Sequence, residues 1–308
     1  MTSSARVGPT FVVAGAGRAG TTGLVEGLRQ HPGIFVTDPK EPHYFALHGA
    51  EPDFHGPGDD RFINTQAVTR LADYLALYPD DSRFLARGEG SVSTLYYHEH
   101  AIPEMVRMNP DLRVIVLLRE PVERAYSSFQ YLRTSGREPL ADFLAAVAEE
   151  PSRRADNWHH LWHYTGMSMY AEPLQALESG LSPEQIGVWF YDDLERDYAG
   201  TFQSVLQFLQ IPAVDGAGEH VPRVNASGAS RLAWAHSAMA WASGRPALRR
   251  TARLLTSWRF REQVKTRLLK RQVVPASVRT ELQPVFEEDL NTLRTMLAHR
   301  VDLPTWLA

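Results

Sequence analysis

Between Phe11 and Leu24 the chain reads FVVAGAGRAGTTGL, an apolar run, a glycine-rich turn and residues able to open a helix. A buried strand that ends in glycines and feeds a helix aims backbone N–H groups and a positive dipole end at one point, which suits a phosphate or another anion. Arg18 stands inside this turn, and Thr21 and Thr22 follow it. A second cation, Arg119, closes the apolar run Leu112 to Leu118 and precedes Pro121, with Ser127 two turns further on. A carboxylate, Glu41, lies between Pro39 and Pro42, whose rings hold the chain extended, so it sits in a stiff loop suited to a catalytic group. His43, His98 and His100 are rival proton acceptors.

Strands and helices must alternate to carry these groups. After the glycine turn, Leu24, Val25 and Leu28 mark a helix face that stops at His31-Pro32-Gly33, and Ile34 to Val36 reads as a short strand. Residues 47–64 lack periodicity and read as an irregular loop, helical spacing returns at Val68, Leu71, Tyr74 and Leu75, and Phe84 to Ala86 reads as a strand. The β-branched run Leu112 to Leu118 suits a central parallel strand covered on both faces. Pro121 then starts a helix, leaving Arg119 at a strand's carboxyl end, the ligand-binding edge of open α/β sheets. A polar helix is expected over 138–150, a strand over Ile186 to Phe190, a helix capped at Tyr191-Asp192-Asp193-Leu194, and a closing helix from Val278 to Leu297. The pattern implies an α/β fold, a three-layer sandwich with a mostly parallel central sheet flanked by helices.

Composition narrows the classes. At 308 residues the chain can bury a large core, and its net charge of −4 argues against a dedicated nucleic-acid binder. No cysteine is present, which removes disulfides and thiolate chemistry. Met1 to Thr10 is short and polar, and the apolar run after it breaks at Gly15, so a cytoplasmic protein is expected. His159, His160 and His163 are close in sequence but lack the HExxH spacing of a zinc helix, so an acceptor-pocket wall or an amphipathic helix is preferred there. From 223 to 279 arginines and lysines recur with Glu262 as the one acid and Trp234, Trp241 and Trp258 interleaved, a segment fit for a carrier protein, a membrane surface or a solvated basic face.

The glycine turn alone admits several ligands. Gly15, Gly17 and Gly20 fit the dinucleotide fingerprint G-x-G-x-x-G with Asp38 as the ribose acid, which would make a nicotinamide-dependent oxidoreductase. An ATPase-type P-loop fits poorly, since Thr21 stands where its lysine belongs. A non-catalytic nucleotide-binding protein is a third possibility. With Arg119 and Ser127 added, the sequence resembles the sulfotransferases that use 3′-phosphoadenosine 5′-phosphosulfate (PAPS), most closely the carbohydrate and heparan sulfate type with its bacterial relatives.

The resemblance rests on Arg18-Ala19-Gly20-Thr21-Thr22 as the 5′-phosphosulfate loop, LLREPVERAYSSF from Leu117 to Phe129 as the 3′-phosphate motif, and Lys40-Glu41-Pro42-His43-Tyr44-Phe45. It implies one sulfotransferase domain over 1–308. It also implies cofactor contacts from Gly17, Arg18, Ala19, Gly20, Thr21, Thr22, Arg119, Ser127, Tyr191 at the adenine and Arg223 as a further 3′-phosphate ligand. Glu41 is the implied general base, Arg18 neutralises the leaving phosphate, and no metal is required. The implied reaction releases adenosine 3′,5′-bisphosphate and sulfates a hydroxyl of a sugar, glycolipid or natural product. Arg18 replaces the family's usual lysine, and arginine does not act as a proton donor.

Overall fold

The computed structural model describes residues 8–80, 83–214, 228–230, 269–271 and 273–308. Five strands, β1 (Phe11–Gly15), β2 (Ile34–Val36), β3 (Ala86–Glu89), β4 (Arg113–Leu118) and β5 (Ile186–Phe190), form one sheet in the order β2-β3-β1-β4-β5. Every pairing is parallel. Parallel neighbours need crossovers, and helices supply them, among them Thr21–Leu28, His98–Met108, Pro121–Thr134 and Ala171–Gly180. Burial on both faces explains the unbroken apolar run of β4: Val114, Ile115 and Leu117 are fully buried, each contributing roughly 1.5–3 kcal/mol. The α/β architecture flanked by helices is as expected, with a sheet that is parallel throughout.

β1 sits between β3 and β4, and its register with β4 shifts between Val13 and Gly15, where the chain leaves the ladder. The connection leaving β1 runs to β2 on one side and the connection leaving β4 runs to β5 on the other, so the carboxyl ends of β1 and β4 border the crevice where open α/β sheets bind ligands. Gly20 and Arg119 lie in that crevice. Two short strands, Gly228–Ser230 (β6) and Leu269–Arg271 (β7), pair antiparallel as a separate ribbon. Among the described residues no helix is long and apolar enough to cross a membrane.

Several elements differ from the sequence pattern for identifiable reasons. β3 runs over Ala86–Glu89 rather than Phe84 to Ala86, since Ala86 to Gly88 pair with β2 and Gly88 and Glu89 pair with β1. The polar helix expected over 138–150 is instead two short helices, Phe143–Ala148 and Glu150–Ala155. Glu138 leaves helical spacing to form a buried ion pair with Arg153, two N–H···O contacts of 2.8 Å each. The closing helix breaks around Pro284 into Ala276–Leu282, a 3-10 turn and Glu287–Leu297. Its Asp289 accepts from the N–H groups of Tyr170 and Ala171 at 2.9–3.1 Å, capping Ala171–Gly180 from 118 residues away.

Candidate active site

The turn after β1 is shaped by its backbone. Gly20 has φ 92, and a Cβ there would meet Leu194 at 2.8 Å, so glycine is required twice over. No side chain caps the helix Thr21–Leu28, which leaves its first-turn N–H groups for a ligand. Arg18 also lies in the left-handed region, φ 71, a conformation that costs a non-glycine residue about 1–2 kcal/mol. Its guanidinium is held by Nε donating to Ser127 Oγ at 3.3 Å and by the Tyr131 ring, 4.8 Å from Cζ. Burial lowers its pKa to about 10, Tyr131 opposing while Arg119 and Arg124 add to the effect, and it stays cationic at neutral pH.

Arg119 arrives from β4. Its Nη1 donates to the Arg18 carbonyl at 3.2 Å, its Nη2 to Glu123 Oε2 at 3.0 Å, and its Cζ lies 4.4 Å from the centre of the Tyr191 ring. Glu120 accepts from the N–H groups of Val122 and Glu123, fixing the start of the helix that carries Ser127. Arg279, from the end of the basic segment, turns inward and grips Glu120 and Glu123 at 3.2 and 2.8 Å. Arg119 Nε is buried without a hydrogen-bond partner, as is Nη1 of the fully buried Arg124 beneath it. Arg124 bonds to Ser168 Oγ and the Tyr164 carbonyl and makes no ion pair among the described residues. Arg119 lines the cleft and keeps one buried N–H unpaired, a donor suited to an anion's oxygen, whereas Arg124 does not reach the cleft wall.

Glu41 lines the same cleft, its Oε1 2.6 Å from Lys40 Nζ. Burial pushes its carboxyl up, but Lys40, His43 and the Val92 backbone together outweigh that and hold it below the usual carboxylate range. His43 stands beside it, Nδ1 2.8 Å from Ser93 Oγ, with its pKa lowered to about 4 by burial against the pull of Glu41. His159 and His160 are buried in the wall and also lowered by burial, although His159 Nδ1 lies 2.8 Å from Asp59 Oδ1. These imidazoles are neutral at pH 7. His98 and His100 do not line the cleft; His98 meets Glu99 and Glu172 in a surface group, and His100 stacks on His48 at 4.0 Å.

The structure brings Gly17, Arg18, Gly20, Thr21, Thr22, Glu41, Arg119, Ser127 and Tyr191 into one cleft of about 440 Å³. Ala19 is not on its wall: its side chain is fully buried and its N–H is bonded to the Ala16 carbonyl at 3.2 Å. Arg223 lies outside the described residues, as do Trp234, Trp241 and Trp258. Asp38 is exposed on the loop after β2, and β3 separates β2 from β1. A dinucleotide fold keeps those two strands adjacent so that the acid reaches the ribose, so the strand order removes that reading.

Sequence reasoning passed over Tyr131, Arg137 and the Asp59–His159 pair, all built from contacts between distant segments, which no local spacing announces. Also missed was Glu89, fully buried at the end of β3 and accepting from Ser91 Oγ at 2.5 Å. Burial raises it to about 8, Ser91 opposing and Glu41 adding.

An α/β sheet whose carboxyl edge gathers two arginines, an uncapped helix start and a facing carboxylate has the parts of an enzyme that moves an anionic group. Residues 9–215 match the sulfotransferase family, and the chain belongs to that family of transferases. It is 27% identical to carbohydrate sulfotransferase 15 of Mus musculus, over 66% of this chain and 44% of that one. It is 24% identical to the bifunctional heparan sulfate N-deacetylase/N-sulfotransferase 3 of Homo sapiens, over 66% and 22%. The chain thus spans less than half the length of the curated relatives it matches. A sulfotransferase crystal structure from Alicyclobacillus acidocaldarius shares the fold, with a TM-score of 0.73 at 24% identity over 97% of this chain and 99% of that one.

Proposed function

We propose that this chain transfers the sulfuryl group of PAPS to an acceptor hydroxyl and releases adenosine 3′,5′-bisphosphate. The observation that carries the reading is the convergence of Arg18 and Arg119, from two different strand ends, on one cleft that also holds Glu41. Arg119 and Ser127 would hold the 3′-phosphate, with Tyr191 below Arg119 at the adenine and Arg223 retained as a further ligand. Arg18, the hydroxyls of Thr21 and Thr22 and the N–H groups after Gly17 would surround the 5′-phosphate. In the transfer an acceptor O–S bond forms as the S–O bond to the bridging oxygen breaks, and the electron pair leaves with the phosphate. Fixed donors at that oxygen supply the main stabilisation, and here they are Arg18 and the helix start.

Glu41 takes the acceptor proton. Its lowered pKa keeps it ionised, and Lys40 holds its carboxylate in place at 2.6 Å. Arginine supplies the charge neutralisation, so the design calls for no metal. A carbohydrate is the first acceptor class, since the matched relatives are named for carbohydrate and heparan sulfate; one of them is named an N-sulfotransferase, so transfer to a hydroxyl is this proposal's own reading, with glycolipid and natural-product hydroxyls following. Thermal unfolding with adenosine 3′,5′-bisphosphate, NADH or ATP tests the cofactor. Bisphosphate at about 100 times its Kd is expected to add about 2.7 kcal/mol of stability. A response to NADH alone overturns the reading.

A further inference from the structure

We infer that Arg137 recognises the acceptor, and that the acceptor carries a carboxylate or sulfate near the hydroxyl that reacts. The inference rests on the proposed sulfuryl transfer and names the chemistry of its second substrate.

Tyr131 lies within contact distance of both Arg18 and Arg137: Arg18 Cζ is 4.8 Å from its ring centre and Arg137 Cζ is 5.4 Å from the same centre, and all three line the cleft. Arg137 also sits 5.0 Å from the Phe62 ring and 5.9 Å from the Trp162 ring. A guanidinium packed among aromatic faces keeps its in-plane N–H edges available as a fork. The side-chain hydrogen bond it makes is short in reach, Nε to Ser135 Oγ at 3.1 Å, and it joins no ion pair among the described residues.

Among the described residues Arg137 shares this lack of a carboxylate with Arg18 and Arg124, but Arg124 does not line the cleft. Arg153 and Arg154, in the neighbouring helix, each hold a carboxylate within 2.8 Å. Of the three arginines on the cleft wall, Arg18 and Arg119 are taken by the proposed cofactor, and Glu41, the wall's one acid, already holds Lys40. The nearby histidines, His159 and His160, are neutral. Arg137 therefore offers the cleft a cation that no carboxylate pairs among the described residues, beside aromatic rings and outside the set assigned to the cofactor. A planar carboxylate or a sulfate matches its fork, and a sugar or aryl ring matches the Phe62 and Tyr131 faces.

The test uses the full chain saturated with adenosine 3′,5′-bisphosphate and two probes that differ in one charge, p-nitrophenyl β-D-glucuronide and p-nitrophenyl β-D-glucoside, titrated by calorimetry or ligand-observed NMR. The wild type is expected to bind the glucuronide about tenfold or more tightly than the glucoside. Arg137→Gln should bring the two within about twofold, and Arg137→Lys, a point charge without the fork, should keep part of the preference. Thermal unfolding checks that each variant is folded; should Arg137→Gln fail to fold, a drop in preference of about threefold or more in Arg137→Lys carries the reading. Equal affinities in the wild type, no glucuronide binding, or a preference that survives both substitutions overturns the inference. If the bisphosphate itself does not bind, the sulfuryl-transfer reading falls first and this inference with it.

Discussion

The two walls of the cleft come from different parts of the fold. The cation wall grows from β1 and β4, adjacent central strands, and each of its residues lies within a short stretch after a strand: Arg18 to Thr22 after β1, Arg119 to Ser127 after β4. The facing wall is collected from distant loops and helix ends: Glu41 and His43 after β2, Phe62, Tyr131 and Arg137, and the 3-10 turn at His160–Trp162. Its groups are mostly neutral rings, whereas the cation wall holds the guanidiniums of Arg18 and Arg119. Charge set by local backbone geometry suits a ligand that never changes. A wall collected from loops can be altered for a different acceptor without disturbing the sheet.

The largest expected effect falls on the acceptor wall. Glu41→Gln should lower the turnover of labelled sulfate transfer by about 10²–10⁴-fold, the usual worth of a positioned general base. Turnover near that of the wild type would pass the role to His43, the other proton acceptor beside it.

A smaller effect separates the walls by pH. His43, His159, His160 and His163 have folded pKa values depressed below their ordinary 6.5, chiefly by burial. Their contribution to stability is therefore complete above about pH 6.5 and is lost as the pH falls below it, toward about 4 for His43 and His163. Glu89 has the opposite sign: raised to about 8, its contribution is full below its ordinary 4.5 and is lost as the pH rises through 8. Four imidazoles outweigh one carboxyl between pH 6.5 and 5. Urea unfolding should lose more than about 1.4 kcal/mol per pH unit there, the slope of one proton. A flat profile across that window would mean the acceptor wall is wetter and more adaptable than its burial indicates.

The same division explains what the sequence revealed. Gly20, Arg18, Arg119 and Ser127 were legible because strand-to-helix turns are coded by neighbours in the chain, and the run Leu112 to Leu118 announces its own burial. Glu41 was legible because two prolines mark its loop. Arg137 was not, since it directly precedes the stretch 138–150 that reads as a polar helix until Glu138 is seen to bury itself against Arg153. Asp59 and His159 are 100 residues apart, and Asp59 lies in a stretch with no periodicity at all. Glu89 was hidden by its Arg-Gly-Glu context, poor in strand propensity, which pairing with β1 and β2 overrides.

The division of labour itself is measured most directly by calorimetric titration of adenosine 3′,5′-bisphosphate into the wild type, Arg119→Ala and Glu41→Gln. Loss of a charge-assisted phosphate contact, worth about 1.5–3 kcal/mol, should weaken binding in Arg119→Ala by tenfold or more. Glu41→Gln should bind within about threefold of the wild type. Wild-type affinity in Arg119→Ala, or a collapse of affinity in Glu41→Gln, would contradict the assignment of the cation wall to the cofactor and the facing wall to the acceptor.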